Sequence, residues 1–143
     1  MPVILHDFHI RAAAAKVFDA VAAPIGLDSW WTKGSSGFPC EGNEYKLWFG
    51  PEYDWLAVVS ICDPSREFEL TITRARADWT GTRVGFILEE RNGTTRVQFR
   101  HAGWPDENAH FRTSSFRWAT YLRLLKRYVE TGEVVGYEER PDA

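Results

Sequence analysis

A histidine closing a run of alternating apolar residues is the first candidate for chemistry in this sequence. Val97, Phe99 and His101 recur at every second position, so His101 is expected to face the interior at a strand end. A neutral imidazole there offers one donor and one acceptor. That suits holding a ligand's carbonyl or hydroxyl, and it equally suits a structural hydrogen bond to a neighbouring group. His6 becomes the second polar group of the same interior if its side of the first strand is the inner one. Trp30, Trp31, Trp79, Trp104 and Trp118 fall at element ends or on the inner face of a helix. Rings with a few polar groups among them are the usual lining of a small-molecule site, although any single one can serve as core. Tyr45, on an alternating strand, and Phe111 and Ser115, on the long helix, complete the candidate ligand-binding set.

Catalysis finds little footing, and a binding role is expected over an enzymatic one. Ser114 and Ser115 lack a Gly-rich nucleophile turn, the four His are dispersed, and there is no His-x-x-x-His or Cys-x-x-Cys pair for a metal. No catalytic residue, metal or cofactor is therefore assigned. A cyclase-like acid/base role would need His101 to converge with Glu44, Asp54 or Asp78. Arg112, Arg117, Arg123, Lys126 and Arg127 form a basic helix stripe, read as a solvated face with its cations near the negative end of the helix dipole.

The elements that must position these residues follow from periodicity. From residue 111 to 130 there is no Gly or Pro, and Phe111, Ser115, Trp118, Leu122, Leu125 and Val129 recur in steps of four and three, one face of a helix. Asp106 or Asn108 is the expected cap, and Gly132 the stop. The earlier chain begins with a strand over 3–11, for which the side carrying Phe8 and Ile10 is taken as inner. Two short helices follow, over 12–23 and 25–31, separated by Pro24. Strands are then expected over 35–40, 45–49, 53–62, 68–72, 84–88 and 97–101. A type I′ hairpin is expected at Asn92 and Gly93, and a loop carries Trp79. About six antiparallel strands bury one face, and a single helical layer can cover it. Residues 133–143 are polar and expected to form a loose tail.

Composition narrows the partners. The 143 residues suit one domain with a sizeable core, and aromatics at 15%, with seven Trp, are more than a core of this size needs. A net charge of −3 gives no whole-domain attraction for nucleic acid or for an anionic membrane, and neither is expected as a partner. Residues 1–11 alternate polar and apolar, unlike a signal peptide or a membrane span, so a cytoplasmic location is expected. Cys40 and Cys62 are read as reduced, partly buried thiols.

Several stretches together resemble a known superfamily: Ala15-Lys16-Val17-Phe18-Asp19-Ala20 with Gly26-Leu27 and Trp30-Trp31, then His101-Ala102-Gly103-Trp104, then the closing helix from Tyr128 to Gly132. They are similar to the START-like (SRPBCC) superfamily, in the branch of activators of the heat-shock protein 90 ATPase, over residues 3–132. The resemblance implies an α+β helix-grip fold. In it a curved antiparallel sheet of about six or seven strands wraps a long C-terminal helix, with two short helices after the first strand. It places one domain over 1–132 and a polar tail over 133–143. It also implies a cavity between sheet and last helix, with a small hydrophobic or aromatic ligand as the expected occupant. The other expectations are a chaperone-associated interaction module and a cyclase-like enzyme, with a monomer or homodimer as the assembly. Two departures stand out. Arg117 precedes Trp118 where that branch commonly has Gly, and the separate N-terminal domain of eukaryotic co-chaperones has no counterpart in these residues.

Overall fold

Strand pairing sets the frame. The computed structural model describes residues 2–143 and, for Ala77, the backbone alone. Seven strands, β1 (Ile4–Ile10), β2 (Gly34–Ser36), β3 (Glu44–Trp48), β4 (Asp54–Asp63), β5 (Glu67–Arg74), β6 (Arg83–Arg91) and β7 (Thr94–Ala102), pair antiparallel in the order β1-β7-β6-β5-β4-β3-β2. The meander from β2 to β7 runs without crossovers, its longest link, 75–82, holding the 3-10 turn Ala77–Trp79. At the tightest, Asn92 (φ 53°) and Gly93 (φ 79°) close the expected hairpin, with Arg91 opposite Thr94. Register shifts in the β4/β5 pair, at Leu56/Ala57 and Val59/Ile61, bend the sheet. The chain crosses from β1 at one edge to β2 at the other through α1 (Ala14–Ala22) and α2 (Pro24–Trp30). The helix α3 (Ala109–Thr131) then lies in the concave side, which completes the helix-grip arrangement.

Local chemistry explains these boundaries. Pro24 does more than stop the first helix, since it occupies the first turn of α2, where its missing N–H costs nothing. The α1 to α2 junction is tight: a Cβ on Gly26 would stand 2.5 Å from the Asp19 carbonyl oxygen and 2.7 Å from Ala20 Cα. At the start of α3, Asn108 Oδ1 accepts from the Phe111 N–H at 3.0 Å, which selects Asn108 over Asp106 as the cap. On β1 the side of Ile4, His6, Phe8 and Ile10 turns inward. Trp118, Leu122, Leu125 and Val129 of α3 are buried, while Phe111 and Ser115 are half-buried.

The convex face carries its own brace. Arg100 on β7 reaches across Gly85 of β6 to Glu67 (2.9 Å) and Glu69 (2.8 Å) on β5, and Ser60 of β4 donates to Glu69 Oε1 at 2.7 Å. A side chain at position 85 would collide with that guanidinium, its Cβ 2.6 Å from Arg100 Cζ.

Residues 133–143 do not hang loose. Tyr137–Asp142 form a 3-10 segment, and Arg140 is only 3% exposed. Its guanidinium donates to the carbonyls of Val135 (2.9 Å), Thr32 (3.1 Å) and Asp28 (2.7 Å). The last carbonyls of a helix lack partners and sit at the negative end of its dipole, so a cation from a polar segment can order that segment by capping α2.

The Gly26 contact predicts that Gly26→Ala, which must push α1 and α2 apart, costs about 1–3 kcal/mol in urea unfolding. Gly34→Ala, whose nearest neighbour would be a Trp48 ring carbon at 3.6 Å, is expected to be tolerated and serves as the control.

Candidate functional site

A sheet of seven strands spaced about 4.8 Å apart is roughly 29 Å wide, and a helix with its side chains covers about 10–12 Å of it. The backbone of α3 runs beside β1, α1 and α2, so the β3 and β4 end of the concave face lies outside its cover. A half-open groove of about 400 Å³ occupies that gap.

Five aromatic rings from five places in the chain make its floor: Trp31 after α2, Phe49 after β3, Trp55 on β4, Trp79 in the 3-10 turn Ala77–Trp79, and Trp118 on α3. They form a closed circuit. Ring centroids are 5.6 Å apart for Trp31 and Phe49, 4.9 Å for Phe49 and Trp55, 5.1 Å for Trp55 and Trp79, 5.8 Å for Trp79 and Trp118, and 5.2 Å for Trp118 and Trp31. Trp79 and Trp118 stack with their planes 20° apart.

Behind this floor runs a chain of hydrogen bonds with a fixed direction. Trp118 Nε1–H can only donate, and it reaches His101 Nδ1 at 3.0 Å. The His101 proton therefore sits on Nε2, which donates to Thr82 Oγ1 at 2.8 Å, and Thr82 donates to the Trp79 carbonyl at 2.6 Å. His101 is 0% exposed, and burial holds its pKa down at about 3, with a lesser push from His110. Both ring nitrogens are used, so His101 positions the floor and does not line the groove.

The rim is polar. Arg76 lies over the Tyr53 ring at 4.7 Å and donates to the Tyr53 hydroxyl at 3.0 Å. His110 Nδ1 lies 3.2 Å from Asp78 Oδ2, which also accepts from Asn108 at 3.1 Å, and these bonds, Asn108 first, hold the Asp78 carboxyl below its usual range. Thr113, Arg117 and Tyr121 line the α3 side, and Ser114 Oγ accepts from Trp79 Nε1 at 3.3 Å. Tyr137 closes the C-terminal end, its hydroxyl 3.3 Å from the Phe49 carbonyl.

Of the ten candidates from the sequence, Trp31, Trp79 and Trp118 line this groove. The others lie elsewhere, each for a definable reason. Trp30 is turned into the core beneath α1, where its Nε1 donates to the Ala20 carbonyl at 2.9 Å. Tyr45 shares the inner strand face with Phe49 but sits at the end covered by α1; its hydroxyl donates to the Ala22 carbonyl at 2.6 Å, and burial raises its phenol pKa. Trp104 packs behind His101 (4.8 Å) and against Phe111 (5.3 Å), and its buried Nε1 has no partner among the described residues. Ser115 and His6 meet each other at 3.5 Å on the β1 side of α3. His101 meets none of the three carboxylates considered for cyclase-type chemistry: its ring nitrogens go to Trp118 and Thr82, Asp78 is engaged by His110 and Asn108, Asp54 by Arg74, and Glu44 is exposed.

Sequence reasoning missed Phe49, Tyr53, Trp55, Arg76, His110, Thr113, Ser114, Arg117, Tyr121 and Tyr137. The apolar stripe of α3 packs on β1 and β7, so the groove takes the flank beside it, His110, Thr113, Ser114, Arg117 and Tyr121. Steps of three and four along that flank were the available signal. Among the described residues there is no group of three or more His, Cys, Asp or Glu suited to a metal ion, and no helix long and apolar enough to cross a membrane. Cys40 and Cys62 are free thiols.

A bent seven-stranded sheet gripping its last helix, with a ring-lined groove beside that helix, defines a START-like domain of the kind that holds a ligand or a partner. The chain belongs to the family described as Activator of Hsp90 ATPase homolog 1-like protein, whose family model matches residues 11–130. The solution structure of the Aha1 dimer from Colwellia psychrerythraea is 27% identical, with a TM-score of 0.82 over 93% of this chain and 99% of that one. A crystal structure of a Staphylococcus saprophyticus protein is 19% identical (TM-score 0.77, 94% and 96% covered). CalU16 from Micromonospora echinospora is 17% identical (TM-score 0.74, 98% and 83% covered). These last two likenesses speak for the fold alone. No curated protein matches the chain.

Burial of neutral His101 makes stability pH-dependent. The unfolded chain takes up this proton near pH 6.5 and the folded chain only near 3, so the stabilisation is complete above pH 6.5 and is lost as pH falls through that window. Between pH 6.5 and 5, urea unfolding of the wild type should lose up to about 1.4 kcal/mol per pH unit more than His101→Gln, which cannot titrate. Equal slopes would show that His101 is protonated in the folded protein.

Proposed function

We propose that this domain is a binding module that holds a small aromatic or largely apolar molecule in the groove between the ring circuit and the flank of α3. The observation that carries this reading is the circuit itself: five rings contributed by five separate segments line one half-open space of about 400 Å³. Small-molecule sites span about 300–1,000 Å³ and combine apolar walls with a few placed polar groups, the pattern met here. Flat rings on the floor favour a ligand with a flat face, which can stack or meet them edge-on. The two free thiols accord with a cytoplasmic setting.

A panel of fused-ring aromatic probes, neutral and charged, followed by thermal shift and intrinsic Trp fluorescence, tests the reading. A probe at 100 times its dissociation constant adds about 2.7 kcal/mol, enough to raise the melting temperature by about 5–10 °C in a domain of this size. Thr113→Trp, which fills the groove from an exposed helix position, should remove the shift. If no probe of either kind raises the melting temperature or changes the fluorescence, the reading is wrong.

The family description favours a second reading, a chaperone-associated interaction module, and the Colwellia neighbour, described as an Aha1 dimer, favours a homodimer as its assembly. This reading predicts stimulation of the ATPase of a heat-shock protein 90, and the dimer a doubled mass in sedimentation. An unchanged ATPase rate removes the first and a monomer mass the second.

A further inference from the structure

The groove has a charge character that its aromatic floor does not require. Two guanidinium groups, Arg76 and Arg117, and one imidazole, His110, stand on its rim, and no Asp or Glu is among the residues lining it. The chain as a whole is acidic, with a net charge of −3. Several arginines elsewhere find carboxylates: Arg74 meets Asp54, Arg96 meets Asp7, Arg100 meets Glu67 and Glu69, and Arg127 meets Glu133, while Arg66, Arg83 and Arg123 meet none among the described residues but line no groove. The groove arginines meet none either. Among the described residues Arg117 has neither a hydrogen bond nor an ion pair, and Arg76 is held only by the ring and hydroxyl of Tyr53.

Their settings differ in a way that suits a ligand. Arg76 is held in place over Tyr53, which leaves guanidinium N–H groups that the Tyr53 hydroxyl does not use. Arg117 sits one residue before Trp118 of the floor and one helical turn before Tyr121, whose phenol pKa burial raises and Arg117 pulls back down. The nearby carboxylate, Asp78, is already occupied by Asn108 and His110. A flat apolar body on the floor would therefore have unclaimed guanidinium donors beside it, the geometry for bidentate capture of a carboxylate or sulfonate.

Building on the binding reading above, we infer that the groove selects organic anions: molecules with a fused or single aromatic body and one compact anionic group, received by Arg117 with Arg76. A polyanion such as nucleic acid would meet the unfavourable field of the whole chain, whereas a single anionic group meets mainly the local cations.

Matched probes separate this inference from the reading beneath it. 8-Anilinonaphthalene-1-sulfonate and N-phenyl-1-naphthylamine share the same ring system, and only the first carries the anion. Binding to the wild-type chain should favour the sulfonate by about tenfold or more, the scale of a charge-assisted hydrogen bond to a cation, and rising salt should narrow the gap. Arg117→Gln, at an exposed and unpartnered position, should keep the wild-type melting temperature and lower the ratio of sulfonate to neutral-probe affinity about tenfold; Arg76→Gln should act in the same direction. Equal or tighter binding of the neutral probe, with both probes blocked by Thr113→Trp, overturns the anion inference and leaves the aromatic-binding reading standing. A sulfonate preference that survives in the Arg76→Gln, Arg117→Gln double variant also overturns it, because the anion is then held elsewhere. Failure of both probes to bind overturns the two together.

Discussion

The hydrogen bond from the Trp118 indole to His101 is the constraint on which the rest of the groove depends. Apolar burial has no direction of its own, so it sets the rotation of a helix only through the fit of its side chains. An indole N–H aimed at one ring nitrogen does have direction. Because His101 is fixed in turn by Thr82, and Thr82 by the Trp79 carbonyl, the rotation of α3 is tied to β7 and to the 3-10 turn. The flank carrying Thr113, Arg117 and Tyr121 is thereby presented to the groove, and the stripe carrying Ser115 to β1. The buried imidazole costs stability at low pH, and its role is orientation.

The groove itself is a geometric remainder. One helix cannot cover seven strands: α1 covers the middle of the sheet, α2 lies against β2 at one edge, and α3 takes the β1 side. What is left open lies where β3 turns into β4, and large rings fill it only partly. The aromatic excess in the composition thus serves two ends: Trp30 and Trp104 are core, and Trp31, Trp55, Trp79 and Trp118 stand at the open margin.

Most of the fold was legible because it rests on local signals. Alternation marks the strands, Asn92 and Gly93 the hairpin, Asn108 and Gly132 the ends of α3, and the stripe from Trp118 to Val129 the buried helix face. The site was legible only in part, because it depends on which end of a face lies under which helix. Tyr45 and Phe49 share one side of the same stretch of chain, yet one lies under α1 and the other opens to the groove. Trp30 and Trp31 are adjacent and face different volumes. Period-2 and period-3.6 patterns resolve inside from outside; they do not resolve one interior region from another. The solvated-face pattern of the basic residues of α3 describes both Arg117 and Arg123, which are exposed, and periodicity alone does not distinguish Arg117, which also borders the groove, from Arg123, which does not. The polar C-terminal residues carry no periodic pattern, because their order comes from contacts with distant segments, chiefly the Arg140 cation meeting the end of α2 and Tyr137 meeting Phe49.

That single cation has a consequence for how the protein tolerates genetic change. The hydrogen bonds of the Arg140 guanidinium all go to main-chain carbonyls, at Asp28, Thr32 and Val135. No codon change at those three positions deletes a carbonyl, so the acceptors persist as long as α2 does, while the donor depends on one codon. The anchorage of the segment that carries Tyr137 to the groove is therefore robust on one side and fragile on the other. The anchorage therefore asks for no particular side chain at 28, 32 or 135, where Asp28 and Thr32 serve instead in side-chain bonds to each other and to Ser35, and its whole demand on residue type falls at 140.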